Sequence, residues 1–245
     1  MTRILGIIPA RYGSTRFPAK ALADIGGKSM VRRVYEQASK TSLLSDVIVA
    51  TDHQLIIDEV RSFGGKVCMT SALHQSGTDR CFEAMTLADG SFDYVINIQG
   101  DEPFIAPEQI DLLAGLLEGN TQLGTLIKRI EDTEELFNPN VVKAIFNKQK
   151  EAIYFSRAPL PYNRNEPQER WLDTMAYFKH IGIYAYRSDI LQEITRLDVS
   201  DYEKCESLEQ LRWIESGYKI KVAETNHASI GVDTPEDLDK LKNLF

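Results

Sequence analysis

A doubly wound α/β fold, with a mostly parallel sheet flanked by helices, is what the sequence predicts. Three observations carry it. Short apolar, β-rich runs alternate with helical patterns through residue 120. The runs are apolar on both faces, as strands of a parallel sheet covered on both sides must be. A basic, glycine-containing loop follows the first run, at the end of the sheet where ligands bind in open parallel folds.

The first run is Ile4–Ile8, closed by Pro9. Asp46–Asp52, Lys66–Met69 and Asp93–Gln99 follow as further strands. Between them, residues 30–39, 54–63 and 79–87 have helical spacing, and 107–117 repeats it with Pro107 at the start. Such an order implies right-handed crossovers. Farther on, 141–146 and 152–155 flank Asn147-Lys-Gln-Lys150 and predict a hairpin. Residues 156–171, with three prolines, predict a long loop. His180–Arg187 alternates like a strand. Residues 202–215 predict one amphipathic helix, and 219–223 a last strand. Thr234-Pro-Glu-Asp opens a final helix with a cap, a proline and acids in its first turn. One domain over 1–245 is expected. Its larger part is 1–125 plus 219–245, and a smaller mixed lobe spans about 126–218.

Composition narrows the function. The 245 residues are 43% apolar, which supplies a full core, and carry a net charge of −8. Residues 1–33 hold seven basic side chains against Asp24 alone, a local balance of +6, so the rest of the chain carries −14. A basic start on an acidic protein predicts a local anion site and excludes a nucleic-acid face. Three scattered cysteines without a CxxC exclude a disulfide framework or structural zinc and predict a reducing, cytoplasmic setting. No apolar run reaches the ~20 residues of a membrane span.

The loop Pro9–Lys20 offers Gly13, Ser14 and Thr15 for backbone and hydroxyl contacts, and Arg11, Arg16 and Lys20 for charge. Together these suit a triphosphate, or else a solvated basic loop. The pattern is neither Walker A nor GxGxxG. In His74-Gln-Ser-Gly-Thr-Asp-Arg80, Ser76 and Thr78 can hydrogen-bond a base edge and Gly77 lets a flat ring approach. The same segment reads as a helix start capped by Thr78. Asp101, at the carboxyl end of a strand and after Gly100, reads as a Mg²⁺ ligand beside a triphosphate or as a turn residue.

Ile7-Ile-Pro-Ala-Arg-Tyr12, His74-Gln-Ser-Gly-Thr78, Gln99-Gly-Asp-Glu-Pro103, Phe137-Asn-Pro-Asn140, Tyr154-Phe-Ser-Arg157, His180-Ile-Gly-Ile-Tyr184, Leu208-Glu-Gln-Leu-Arg212 and Gly231-Val-Asp-Thr-Pro-Glu-Asp237 occur in this order. In them the whole chain resembles the 3-deoxy-D-manno-octulosonate (Kdo) cytidylyltransferases, or CMP-Kdo synthetases. The resemblance implies a Rossmann-like nucleotidyltransferase fold and CTP phosphates held by Arg11, Ser14, Arg16 and Lys20. It implies base and ribose contacts at Gln75, Ser76 and Gly77. It pairs Asp101 with Asp233 as Mg²⁺ ligands, and it places Arg157, His180, Tyr184, Glu209 and Gln210 around the sugar. The reaction implied is CTP plus Kdo giving CMP-Kdo and pyrophosphate, with Lys20, Arg16, Asp101 and Asp233 catalytic, in a homodimer that serves lipopolysaccharide synthesis. An 8-amino-Kdo or sialic-type nonulosonate acceptor is the alternative. One departure bears on the loop: the family's Pro-Gly-Lys-Pro-Leu reads Pro18-Ala-Lys-Ala-Leu22 here. If position 19 needs a positive φ, Ala19 is strained.

Overall fold

A computed structural model describes residues 2–13, 17–228 and 230–241. One nine-stranded sheet runs through it. Its strands are β1 (Ile4–Ala10), β2 (Asp46–Thr51), β3 (Val67–Met69), β4 (Tyr94–Asn97), β5 (Leu123–Arg129), β6 (Lys143–Phe146), β7 (Ala152–Ser156), β8 (Phe178–Arg187) and β9 (Ile220–Glu224). The main path is β3-β2-β1-β4-β8-β5-β9. β1 to β4 pair in parallel, and β5 pairs in parallel with β9. β8 is inserted antiparallel between β4 and β5. The expected mostly parallel, helix-flanked sheet is therefore present. The β6–β7 hairpin forms as expected and joins β8 through Lys143 and Lys179.

The pattern of β1 shows why the first runs are legible. Ile4 and Ile8 pack into the core on one face of the sheet, while Leu5 and Ile7 pack into the core on the other. Strands buried on both faces lose their polar alternation. Helices α1 (Met30–Ala38), α2 (Gln54–Ser62), α3 (Gly77–Leu87) and α4 (Pro107–Ala114) then cover the parallel half, each within a few residues of its expected range.

Four expectations are corrected. Pro9 does not close β1, which continues to Ala10. Ile98 N donates to Ile7 O on the β4 side, and Pro9 faces the same side two residues on. The β1–β4 pairing has already ended at Ile7 and Asn97, so the missing N–H of Pro9 breaks no ladder bond. Residues 202–215 are not one helix. They form α8 (Asp201–Glu206) and α9 (Gln210–Glu215), separated by Ser207 at φ 53°. The loop expected over 156–171 ends in a short turn at 168–170, and Trp171 opens α6 (Trp171–Thr174). Thr78 does not cap α3. Ser76 does, accepting from Asp79 N at 3.1 Å while Asp79 accepts from Ser76 N at 3.2 Å, a reciprocal capping box. The elements α5 (Thr133–Phe137) and α7 (Ser188–Ile194), together with β5, had no sequence expectation. The last helix, α10 (Pro235–Leu241), starts as expected, with Thr234 Oγ1 accepting from Asp237 N.

Candidate active site

A cleft of about 300 Å³ opens at the carboxyl ends of β1 and β4. Its floor is backbone. A Cβ on Gly100 would stand 2.6 Å from Pro9 O, so only glycine lets the β4 loop cross β1 this closely. That crossing delivers Asp101 to the cleft. Val232 N donates to Asp101 O at 2.9 Å, which brings the segment from β9 to α10 alongside and places Asp233 on the same wall.

Lys20 joins the two aspartates. Its Nζ lies 2.7 Å from Asp101 Oδ2 and 3.3 Å from Asp233 Oδ1, with the lysine side chain only 16% exposed. Residues 20, 101 and 233, remote in sequence, therefore meet at one point. Ala19 sets up the lysine. It is left-handed, at φ 54°, and its N–H donates to Tyr12 O at 3.1 Å. The strain anticipated for alanine at this position is present. Left-handed geometry costs an L-residue roughly 1–2 kcal/mol, part of which glycine forfeits as chain entropy. Ala19→Gly is expected to stabilise the fold by about 0.5 kcal/mol, read as a higher urea midpoint at unchanged slope. A lower midpoint would show that the turn is unstrained.

The loop is pinned from behind by Asp52. Tyr12 N donates to Asp52 Oδ1 at 3.0 Å, and Arg80 Nη2 donates to Asp52 Oδ2 at 3.0 Å. Arg80 is buried, and its Nη1 also reaches Thr70 Oγ1 at 2.6 Å. Of the residues expected at the nucleotide, Arg11, Gln75, Ser76 and Gly77 line the cleft, the last three at the N-terminus of α3. Ser14 and Arg16 lie outside the described residues. Arg80 and Gln99 also line the cleft and were missed by sequence reasoning. Each stood inside a quoted motif, Arg80 one helical turn past Ser76 and Gln99 just before Gly100.

The five residues expected around the sugar do not line this cleft. They occupy ground next to it: His180 and Tyr184 on β8, Glu209 and Gln210 at the start of α9, and Arg157 just past β7. Two bonds link the areas: Gln99 Nε2 donates to Gly182 O at 2.7 Å, and Thr78 Oγ1 donates to Glu209 Oε2 at 2.9 Å. Burial raises the Glu209 carboxyl above its usual range, against the lowering effect of the Thr78 hydroxyl. Tyr184 is buried beside Trp213, and its hydroxyl has no hydrogen-bond partner. The same holds for Oδ1 of Asn97, its cross-strand neighbour. Gln210 is buried one helical turn before Trp213. His180 packs edge-on to Phe155, 5.1 Å between centroids, and burial pushes it down to about 3, so its ring is neutral. Arg157 is largely committed. Its guanidinium donates to Glu206 O at 2.7 Å, Pro139 O at 3.1 Å and Ser207 O at 3.5 Å. Two of its five N–H groups are left for a ligand.

The two aspartates form an oxygen-only donor pair. Among the described residues no three His, Cys, Asp or Glu side chains gather as a metal cluster. Mg²⁺ is held by one or two carboxylates plus substrate phosphates, and keeps its waters, so the pair fits that ion.

A parallel sheet with a basic loop after β1 and two aspartates across a lysine defines a nucleotide-binding α/β protein built for phosphate chemistry. The family model that matches residues 5–220 is described as a cytidylyltransferase. A 3-deoxy-manno-octulosonate cytidylyltransferase of Cytophaga hutchinsonii is 56% identical over 96% of this chain and 94% of its own. Another, from Parabacteroides distasonis, is 53% identical over 98% and 97%. The solved structure of a CMP:2-keto-3-deoxy-manno-octonic acid synthetase complexed with CTP superposes with a TM-score of 0.91 at 43% identity, covering 99% of this chain and 98% of that one. The chain belongs to the 3-deoxy-manno-octulosonate cytidylyltransferase family.

Proposed function

We propose that this protein transfers CMP from CTP to 3-deoxy-D-manno-octulosonate, releasing pyrophosphate. The observation that carries the reading is the convergence of Lys20, Asp101 and Asp233 in one cleft with the start of α3. The chain's own parts divide the work. The first turn of α3 presents free backbone N–H groups and a positive dipole end to an anionic ligand. Arg11 and Lys20 bring charge to the triphosphate, and Arg80, fixed by Asp52, holds the loop that carries Arg11. Gly77, at the first position of α3 and on the cleft lining, carries no side chain to bar a base from the backbone. The adjoining area at Glu209, Tyr184 and His180 orients the acceptor so that its anomeric hydroxyl attacks the α-phosphorus in line with the leaving pyrophosphate.

Asp101 and Asp233 are the residues that would hold Mg²⁺, which when bound offsets phosphate charge and eases loss of the hydroxyl proton. The reading includes a cytoplasmic homodimer. Its support is the exposed apolar side chains Ile153, Tyr162 and Tyr202 within 126–218, surface a second copy would cover. No helix among the described residues is long and apolar enough to cross a membrane.

A pyrophosphate-release assay tests the reaction. Four nucleoside triphosphates are each offered with Kdo, its 8-amino analogue and sialic acid, with and without Mg²⁺. CTP with Kdo and Mg²⁺ is expected to turn over fastest by at least about tenfold. A faster rate with another pair would replace this assignment.

A further inference from the structure

The β5–β8 ladder slips between Thr125 and Leu126. Thr125 pairs with Tyr184 and Leu126 with Ile181, so Gly182 and Ile183 have no residue opposite them. Bulges of this kind re-aim side chains beside active sites. This one turns three consecutive carbonyls toward side chains. Gln99 Nε2 takes Gly182 O, while Thr125 Oγ1 lies 2.7 Å from Ile183 O and 3.2 Å from Ile181 O. The same Thr125 oxygen is 3.0 Å from His180 Nε2.

A hydroxyl has one proton. Both carbonyls can only accept, so the Thr125 proton is directed to them, with Ile183 O the nearer. Only lone pairs remain for the imidazole. Nε2 must then be the donor, which puts the ring proton on Nε2 and leaves Nδ1 as a bare acceptor. Thr125 is wholly buried, so no solvent competes for its oxygen. The groups packed on the ring or bonded to it are Thr125 from β5, Phe155 from β7 and Tyr184 from β8, the last with its centroid 5.1 Å away. Of these only Tyr184 titrates, and burial holds its phenol far above the ordinary value. Nothing there favours an imidazolium. Nδ1 has no hydrogen-bond partner among the described residues.

We propose that Thr125 is a positioning residue for the acceptor site: it locks His180 as the Nε2–H tautomer, so that Nδ1 accepts a hydrogen bond from a hydroxyl of the sugar and His180 does not act as a charge partner for its carboxylate. The inference rests on the acidic-sugar acceptor read above. It separates two duties that one basic-looking residue could have combined. The polyol is read by a neutral acceptor, and the carboxylate must be met by other groups.

The test begins on the full chain labelled with ¹⁵N-histidine, without substrates, the His180 signals being assigned with His180→Gln. Long-range ¹H–¹⁵N spectra are expected to show a protonated Nε2 and an unprotonated Nδ1, unchanged from pH 8 to pH 5. An Nδ1–H tautomer, or an imidazolium within that window, overturns the proposal. Thr125→Val is expected to mix the tautomers and to raise the acceptor KM roughly tenfold while the CTP KM moves less than about twofold. Thr125→Ser, which keeps the hydroxyl, is expected to restore both readouts. A folded valine variant with native acceptor KM, or a serine variant that behaves like valine, overturns it as well. Should the valine variant fail to fold, the spectra of the unaltered chain and the serine variant still decide. Absence of turnover with Kdo in the unaltered enzyme would refute the assigned reaction, whereas the tautomer is read without any sugar.

Discussion

Asp101→Asn lowers kcat by about 10³-fold while CTP affinity changes by less than about tenfold, measured by pyrophosphate release and by calorimetry with CTP. The asparagine keeps the shape and one acceptor oxygen, and the backbone bond from Val232 N to residue 101 O stays. What it removes is a negative charge opposite Lys20 at the point where phosphate charge must be managed. In the proposed reaction the triphosphate is also held by the basic loop and the start of α3, which do not need that carboxylate, so binding is expected to survive better than turnover. Full turnover in this variant would take Asp101 out of the reaction, and with it the shared cation site.

Lys20→Met has two expected effects of opposite sign. Turnover falls by about 10²- to 10³-fold, because the role proposed for Lys20 sets its ammonium, only 16% exposed, against the phosphates where charge is poorly screened. Divalent-cation binding without nucleotide becomes tighter, because Lys20 otherwise sits between Asp101 and Asp233 and competes for the same oxygens. Two carboxylates stripped of their ammonium gain more from a cation. Mn²⁺ titration followed by electron paramagnetic resonance reads the second effect. Weaker Mn²⁺ binding would mean that the aspartates are held together by the lysine and do not form a cation site themselves.

The first half of the fold was plain in the sequence because β1, β2 and β4 pack into the core on both faces, and such runs need no partner to be recognised. The second half was less so. Leu123-Gly-Thr-Leu-Ile-Lys-Arg129 passes as a mixed segment, and only its place between β8 and β9 makes it a strand. Helical spacing over 202–215 was real, but Ser207 at φ 53° splits it. The break serves contacts outside the segment: Glu206 takes bonds from Ser156 Oγ and Arg157 N, and Glu209 takes one from Thr78. Arg157 was expected at the sugar, yet two of the three bonds its guanidinium makes serve that same break. Arg80 and Gln99 went unremarked because an arginine on a helix and a glutamine after a strand are ordinary until a cleft forms between them.

By itself, the sequence determined the parallel α/β frame, the basic loop after β1 and, through its motifs, the family and the two aspartates. Those follow from local burial pattern and residue type, which are written along the chain. The tertiary structure alone decided that Lys20 stands between Asp101 and Asp233, that Ala19 takes a left-handed turn to put it there, and that a slipped ladder hands Thr125 to His180. The first and third depend on where carboxylates and carbonyls remote in the chain come to rest, and the second on a loop that closes onto Tyr12 O; no local pattern encodes those distances.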